Sequence, residues 1–313
     1  MAAKPLFTSL CITFSLFATQ PAAADIVWEE QTVKTAAVPQ KVAVYDLAAL
    51  DILNTLGVPA AIVPDASFPV TLKNYTNSRA IKAGTLFEPD TAVLAAQKPD
   101  LVIIGGRSSA AREKLGSLPI LDLSPDTANY MADLQARSRL LGDVFGKRRA
   151  ADAALQRIAA KQAKLKAQTR GKTALMLFTN KGNFMPHAEG ERFGFVYDLA
   201  GLTPVLPAIE ARAPGQAAPQ RPAPDSAEAK AAKAKADARL QNAIDQQPDY
   251  LIVLDRGAVP DGKYTALAQI RENPIVSKAK GKVILVDANA WYLTGAGLAN
   301  TELMLDELIK STQ

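Results

Sequence analysis

The chain has 313 residues, 48% of them hydrophobic and 21% charged, with a formal net charge of +5. That is enough apolar material for two cores, and the mild positive excess, with no basic run interleaved with aromatics, excludes a nucleic-acid binder. One histidine, His187, and one cysteine, Cys11, exclude a metal centre built from several histidines and a disulfide framework.

Residues 1–24 read as a cleavable secretory signal. Lys4 precedes an apolar stretch from Leu6 to Phe17, and a small-residue "AAA" ends at Ala24, so cleavage is expected before Asp25. The stretch is too short to span a bilayer. Cys11 lies within it, so the mature chain is expected to be soluble, free of cysteine and exported to a bacterial periplasm. Loss of Lys4 takes the charge from +5 to +4, and a remainder of about 290 residues suggests two domains.

From Asp25 onward, apolar β-branched runs alternate with helix-period segments, the pattern of a parallel sheet covered by helices. "KVAVYD", "AAIVPD", "LVIIGG" and "ILDLS" are predicted strands, and "AALDILNTLG" (stopped by Gly57) and "TAVLAAQK" are predicted helices. Thr127 to Thr169 reads as helix then helix, broken at Gly146. The same rhythm resumes with strands "TALMLFTN", "YLIVLD" and "VILVDA" and closes on the amphipathic "ANTELMLDELIKS". The expected fold is α/β, with two Rossmann-like lobes at 25–145 and 171–313, a connecting helix at 146–170 and a ligand cleft between the lobes.

Ala208 to Leu240 breaks the pattern. Half of it is alanine and proline; its front should be extended, and "DSAEAKAAKAKADARLQNAI" should be helical behind an Asp225 or Ser226 cap. It reads as a surface insertion at 208–240.

Arg107 stands eight residues beyond Pro99 in "KPDLVIIGGRSS", and Arg256 eight beyond Pro248 in "QPDYLIVLDRG". Each follows a buried strand at the sheet edge where open α/β sheets bind ligands. Arg192, after a Gly182–Glu191 loop, offers a guanidinium at a third βα junction. A guanidinium stays charged, donates in a rigid fork and stacks on aromatic faces, so three suit a flat, delocalised anion. Asp255 and Glu191 are the neighbouring carboxylates that would instead absorb such charges locally.

The segments "YDLAALDILNTLGV", "KPDLVIIGGRSS", "TNKGNFMPHAEGERFGFVYDLAGL", "PDYLIVLDRG" and "VDANAWYLTGAGL" resemble the periplasmic ferric-siderophore-binding proteins of ABC importers, in the class III, catecholate-siderophore branch. The resemblance covers most of the mature chain and fails across 208–240. It implies a ferric catecholate, for example ferric enterobactin, held between the lobes by Arg107, Arg192 and Arg256, and a monomer that delivers it to an inner-membrane ABC permease, with no cofactor and no catalysis. In some relatives a tyrosine at the position of Tyr292 binds iron, with a histidine from the stretch replaced here; Tyr292 and His187 are therefore the candidate iron ligands, and stacking is the other role open to Tyr292. Relatives present a glutamate on each lobe to the permease. Ala92 and Gln241 align there, with Glu88, Asp90 and Asp245 as nearby substitutes. A cobalamin or haem receptor of the same fold is the alternative ligand class, and an exported hydrolase the alternative of another kind; the chain has no G-x-S-x-G, no H-E-x-x-H and no paired histidines.

Overall fold

The structure is a computed structural model that describes residues 25–35, 37–210, 222–223 and 225–313. The signal segment at 1–24 and the centre of the insertion, 211–221, lie outside the described residues.

A short hairpin, β1 (Ile26–Trp28) and β2 (Gln31–Val33), precedes the first lobe. The Gln31 amide fastens it to the first sheet by donating to the Asp122 carbonyl and accepting from the Asp122 N–H. In that lobe β3 (Val42–Val44), β4 (Ile62–Val63), β5 (Ile81–Lys82), β6 (Leu101–Ile104) and β7 (Ile120–Asp122) form a parallel sheet in the order β5-β4-β3-β6-β7. Every residue of β3 and β6 is buried, as expected of strands covered on both faces. Helices α1 (Leu47–Thr55) and α2 (Thr91–Gln97) start where Asp46 and Asp90 accept the N–H of Ala49 and Val93.

The predicted pair of helices is α3 (Tyr130–Val144) and α4 (Arg148–Gln168), divided at Gly146, which adopts φ +64°. Along α4, Ala151, Ala154, Leu155, Ile158 and Leu165 form a buried stripe at three and four spacing.

The second sheet has the order β10-β8-β11-β12, from β8 (Thr173–Asn180), β10 (Thr203–Pro204), β11 (Tyr250–Asp255) and β12 (Lys282–Val286), all parallel. Gly182–Glu191 is not the loop expected from the sequence. Its first part is β9 (Asn183–His187), antiparallel to β8. Pro186 is tolerated because β9 pairs on one side only, as an edge strand. Around these strands lie α5 (Phe195–Ala200), α6 (Ala227–Asp245), α7 (Ala266–Glu272) and α8 (Leu298–Ser311). Ser226 caps α6 by accepting from Ala229, and the exposed front of that helix gives way to buried Leu240, Ala243 and Ile244.

Helix α8 crosses back from the second lobe and packs against α1 and α4. Leu298, Met304, Leu305 and Leu308 are fully buried there, and each contributes about 1.5–3 kcal/mol of burial. A polar seam runs through this junction. The Tyr130 and Thr301 hydroxyls are 2.8 Å apart, Arg137 Nη2 donates to the Ala296 carbonyl (3.0 Å), and the Asn300 N–H donates to Asp51 (3.1 Å). The described residues contain no helix long and apolar enough to cross a membrane.

Candidate functional site

Residues that follow the carboxyl ends of β6, in the first sheet, and β11, in the second, meet across the lobes at Tyr292. After β6 the chain turns through Gly105 and Gly106. A Cβ on Gly105 would lie 3.1 Å from the Leu123 backbone, and Gly106 takes φ +52°, so the turn requires glycine. Arg107 emerges from this turn and reaches across to the other lobe. Its Nη2 donates to the Tyr292 carbonyl (2.6 Å) and its Nη1 to the Leu293 carbonyl (3.1 Å).

Those carbonyls are open because Ala290–Thr294 is a π-helical turn, with the Gly295 N–H closing on the Ala290 carbonyl (3.0 Å). The turn is held from behind. Trp291 is buried and donates its indole N–H to Glu307 (2.8 Å), while the Asn300 amide donates to the Ala290 and Gly295 carbonyls at 3.0 and 2.7 Å. Buried Trp291 is thus core, and the half-buried Tyr292 beside it faces the cleft.

Arg256 directly follows β11 and donates from Nε to the Tyr292 hydroxyl (3.2 Å). Arg192 is not at a simple βα junction. The β8–β9 hairpin intervenes, and Arg192 leaves the compact Ala188–Gly194 turn to donate from Nη2 to the Tyr292 carbonyl (3.3 Å). The three guanidinium carbons lie 5.3 Å (Arg107), 4.8 Å (Arg192) and 5.4 Å (Arg256) from the centre of the Tyr292 ring, and Arg192 also stands 4.9 Å from the Phe193 ring. The structure therefore brings Arg107, Arg192, Arg256 and Tyr292 together, at distances where each cation meets the negative face of a ring.

The sequence-adjacent carboxylates do not neutralise this cluster. Asp255 accepts the N–H groups of Gly257, Thr265 and Ala266, and Glu191 pairs with Arg239. Among the described residues no carboxylate lies within 4.0 Å of Arg107, Arg192 or Arg256. Desolvation and the like charges of Arg107 and Arg256 pull the Arg192 pKa down, against the opposing effect of Tyr292. For Tyr292, burial acts upward but is outweighed by the Arg256 hydrogen bond and the three positive charges, so its phenol sits below the ordinary tyrosine value. Three cations crowded round one ring repel one another, and an anion placed among them relieves that repulsion.

His187 lies at the end of β9, behind the rings that border the cluster. Its imidazole packs edge-on against Phe193 (5.1 Å between centres) and Phe178 (6.2 Å), the rings that border Arg192 and Tyr292. Burial drives its pKa down to about 4, with Arg239 and Arg192 acting the same way against Glu191, so the ring is neutral. No group of three or more histidine, cysteine, aspartate or glutamate side chains placed to hold a metal ion occurs among the described residues. Of the residues aligned with the permease contact, Ala92 is exposed on α2, and Gln241 donates to Asp245 (2.6 Å) and accepts from Lys278 (3.1 Å). Asp90 is committed as the α2 cap, and Glu88 is exposed with Lys114 at 4.0 Å.

Sequence reasoning missed Phe178 and Phe193, whose rings stack 5.4 Å apart behind Tyr292, and Arg239, which reaches the site from the insertion. The phenylalanines carried one signal, an aromatic at the end of β8 and another directly after Arg192. Arg239 carried none, because 48 residues separate it from its partner.

Residues 42–290 match the model of the family described as periplasmic binding protein. The ferric-anguibactin-binding protein FatB of Vibrio anguillarum is 32% identical over 288 residues, 88% of this chain and 83% of that protein. The petrobactin-binding protein YclQ of Bacillus subtilis is 28% identical over 279 residues, 86% of this chain and 81% of that protein. Its crystal structure superposes with a TM-score of 0.77 over 94% of this chain and 99% of that one, at 25% identity. The periplasmic catecholate-siderophore-binding protein VctP of Vibrio cholerae gives a TM-score of 0.75 over 92% and 100% of the two chains, also at 25% identity. With its matching sheets, its shared cleft and a family match spanning most of its length, the chain belongs to the periplasmic binding protein family.

Proposed function

We propose that the cleft captures a ferric siderophore of catecholate type and that the protein, acting as a periplasmic monomer after loss of residues 1–24, delivers it to an inner-membrane ABC permease. The observation that carries this reading is the set of three guanidinium groups around Tyr292 with no carboxylate within 4.0 Å among the described residues. Three catecholate dianions on one Fe(III) leave a net charge of about minus three, spread over flat rings, which matches three planar cations and their stacking faces. FatB, named for ferric anguibactin, YclQ, named for petrobactin, and VctP, named for catecholate siderophores, support a siderophore ligand, and VctP the catecholate type.

In this reading the protein is a carrier. Arg107, Arg192 and Arg256 neutralise and orient the chelate, and Tyr292 supplies a ring and a hydroxyl to its edge. Iron arrives inside its chelate as cargo. His187 belongs to the aromatic wall behind Tyr292 and is given no ligand role.

The test is a fluorescence titration against ferric enterobactin, its linear fragments, a ferric hydroxamate and haemin. Buried Trp291, next to Tyr292, is expected to be quenched by the ferric catecholates at the lowest concentrations. Tighter binding of haemin or of the hydroxamate than of every catecholate would refute the assignment.

A further inference from the structure

Among its described residues, the Ala/Pro-rich insertion meets the turn that bears Arg192 through the Ile209 N–H, which donates to the Glu189 carbonyl (2.9 Å), and through the side chain of Arg239. In the second half of α6, Arg239 meets Glu191 fork to fork, with Nη1 3.0 Å from Oε1 and Nη2 2.7 Å from Oε2. Glu191 Oε2 also accepts the Ala188 N–H (2.6 Å), so this carboxylate is the internal strut of the turn that presents the next residue, Arg192. The turn is tight. The Gly194 N–H donates to the Glu191 carbonyl (2.8 Å), and a Cβ on Gly194 would come within 2.1 Å of the Ala188 oxygen. Burial acts to raise the Glu191 pKa, but the Arg239 fork and the Ala188 N–H outweigh it, so Glu191 is an anion one residue from the cluster.

A carboxylate in that place has two destinations. Left unpaired, it would turn toward Arg192, the adjacent residue on the same turn and without a carboxylate partner within 4.0 Å, or face an incoming anion with a like charge. Bidentate Arg–carboxylate geometry removes both outcomes, because it fixes direction as well as charge.

We infer that Arg239, carried by the helix of the insertion, is a positioning residue for Arg192: it commits Glu191 away from the guanidinium cluster and so preserves the cluster's full charge for the ligand. The inference rests on the proposed anionic-chelate reading and gives the departure from the family pattern a role in the site.

The experiment compares ferric enterobactin affinities of the mature protein, Arg239→Met, Glu191→Gln and the double variant, with far-UV circular dichroism as the check on folding. Arg239→Met is expected to weaken binding about tenfold through the released carboxylate. Adding Glu191→Gln should bring affinity back to within about twofold of wild type, because the two residues act as a coupled pair. Glu191→Gln alone, which keeps an oxygen for the Ala188 N–H, is expected to tighten binding, and this arm stands even where Arg239→Met fails to fold. A merely structural docking of α6 would give a loss that Glu191→Gln does not restore, and that result overturns the inference. So does unchanged affinity in a folded Arg239→Met, or weakened binding in Glu191→Gln. Wild type binding no member of the ferric panel would instead overturn the parent reading, and the inference with it.

Discussion

Replacing Tyr292 separates two contributions that the native residue supplies together. Its hydroxyl accepts from Arg256 Nε, while its ring is shared by all three guanidinium groups. Tyr292→Phe removes only the hydroxyl and is expected to weaken ferric-catecholate binding by about 0.5–1.5 kcal/mol, the usual net value of one hydrogen bond. Tyr292→Ala also removes the ring, and each lost cation–ring contact adds about 0.5–2 kcal/mol. The same surroundings give a spectroscopic marker. Burial pushes the Tyr197 phenol up to about 12, whereas the positive cluster holds Tyr292 below the ordinary tyrosine value in spite of its own burial. In an ultraviolet titration Tyr292→Phe should therefore delete the earliest phenolate transition. Retention of that transition in the variant would show that the charges do not act on this ring as the geometry requires.

At the scale of elements, the turn bearing Tyr292 is clamped at both ends by carboxyl groups, the half-buried Glu307 and the buried Asp51. Glu307 accepts from the Trp291 indole and the Asp287 N–H at 2.8 Å each, and Asp51, from the first lobe, accepts the Asn300 N–H near the start of α8. Gly297 is required there, since a Cβ would lie 2.6 Å from the Asp51 side chain. Burial raises Asp51 to about 7 against the Asn300, Thr71 and Ala299 hydrogen bonds, and raises Glu307 to about 7 against those from Trp291 and Asp287. Their unfolded values are near 3.8 and 4.5. Between those values and about 7 the folded state holds more protons than the unfolded chain, so the stability these groups contribute is complete at low pH and is lost as pH rises through about 7. Asp51→Asn and Glu307→Gln mimic the protonated forms. Urea midpoints are expected to move in the variants' favour, relative to wild type, between about pH 4 and pH 8. A gap that stays constant across that range would contradict the assignment.

For the whole molecule, the legible features were those that a strand or helix imposes on its own sequence. β8 and β11 appear at full length because strands covered on both faces must be continuously apolar, and α3 and α4 because their buried positions recur at three and four. Arg107 and Arg256 stood out because each follows a strand run, Arg192 because it follows the segment after one, and Tyr292 through its "WYLTGAGL" setting. What stayed hidden depends on approaches between distant segments. The edge position that permits Pro186 in β9, the π turn that frees the Tyr292 and Leu293 carbonyls, and the reach of Arg239 to Glu191 are all consequences of packing. Assembly of the cluster is likewise a property of both lobes, since Arg107 comes from one and Arg192, Arg256 and Tyr292 from the other, across a seam closed by Asp51, Tyr130 and Arg137. The decisive measurement is a calorimetric titration of ferric enterobactin into wild type and into the Arg107→Gln, Arg192→Gln, Arg256→Gln triple variant, each verified as folded. One-to-one binding in wild type is expected to disappear in the triple variant, since each lost charge-assisted contact removes about 1.5–3 kcal/mol; a triple variant that binds the chelate as tightly as wild type would contradict the account.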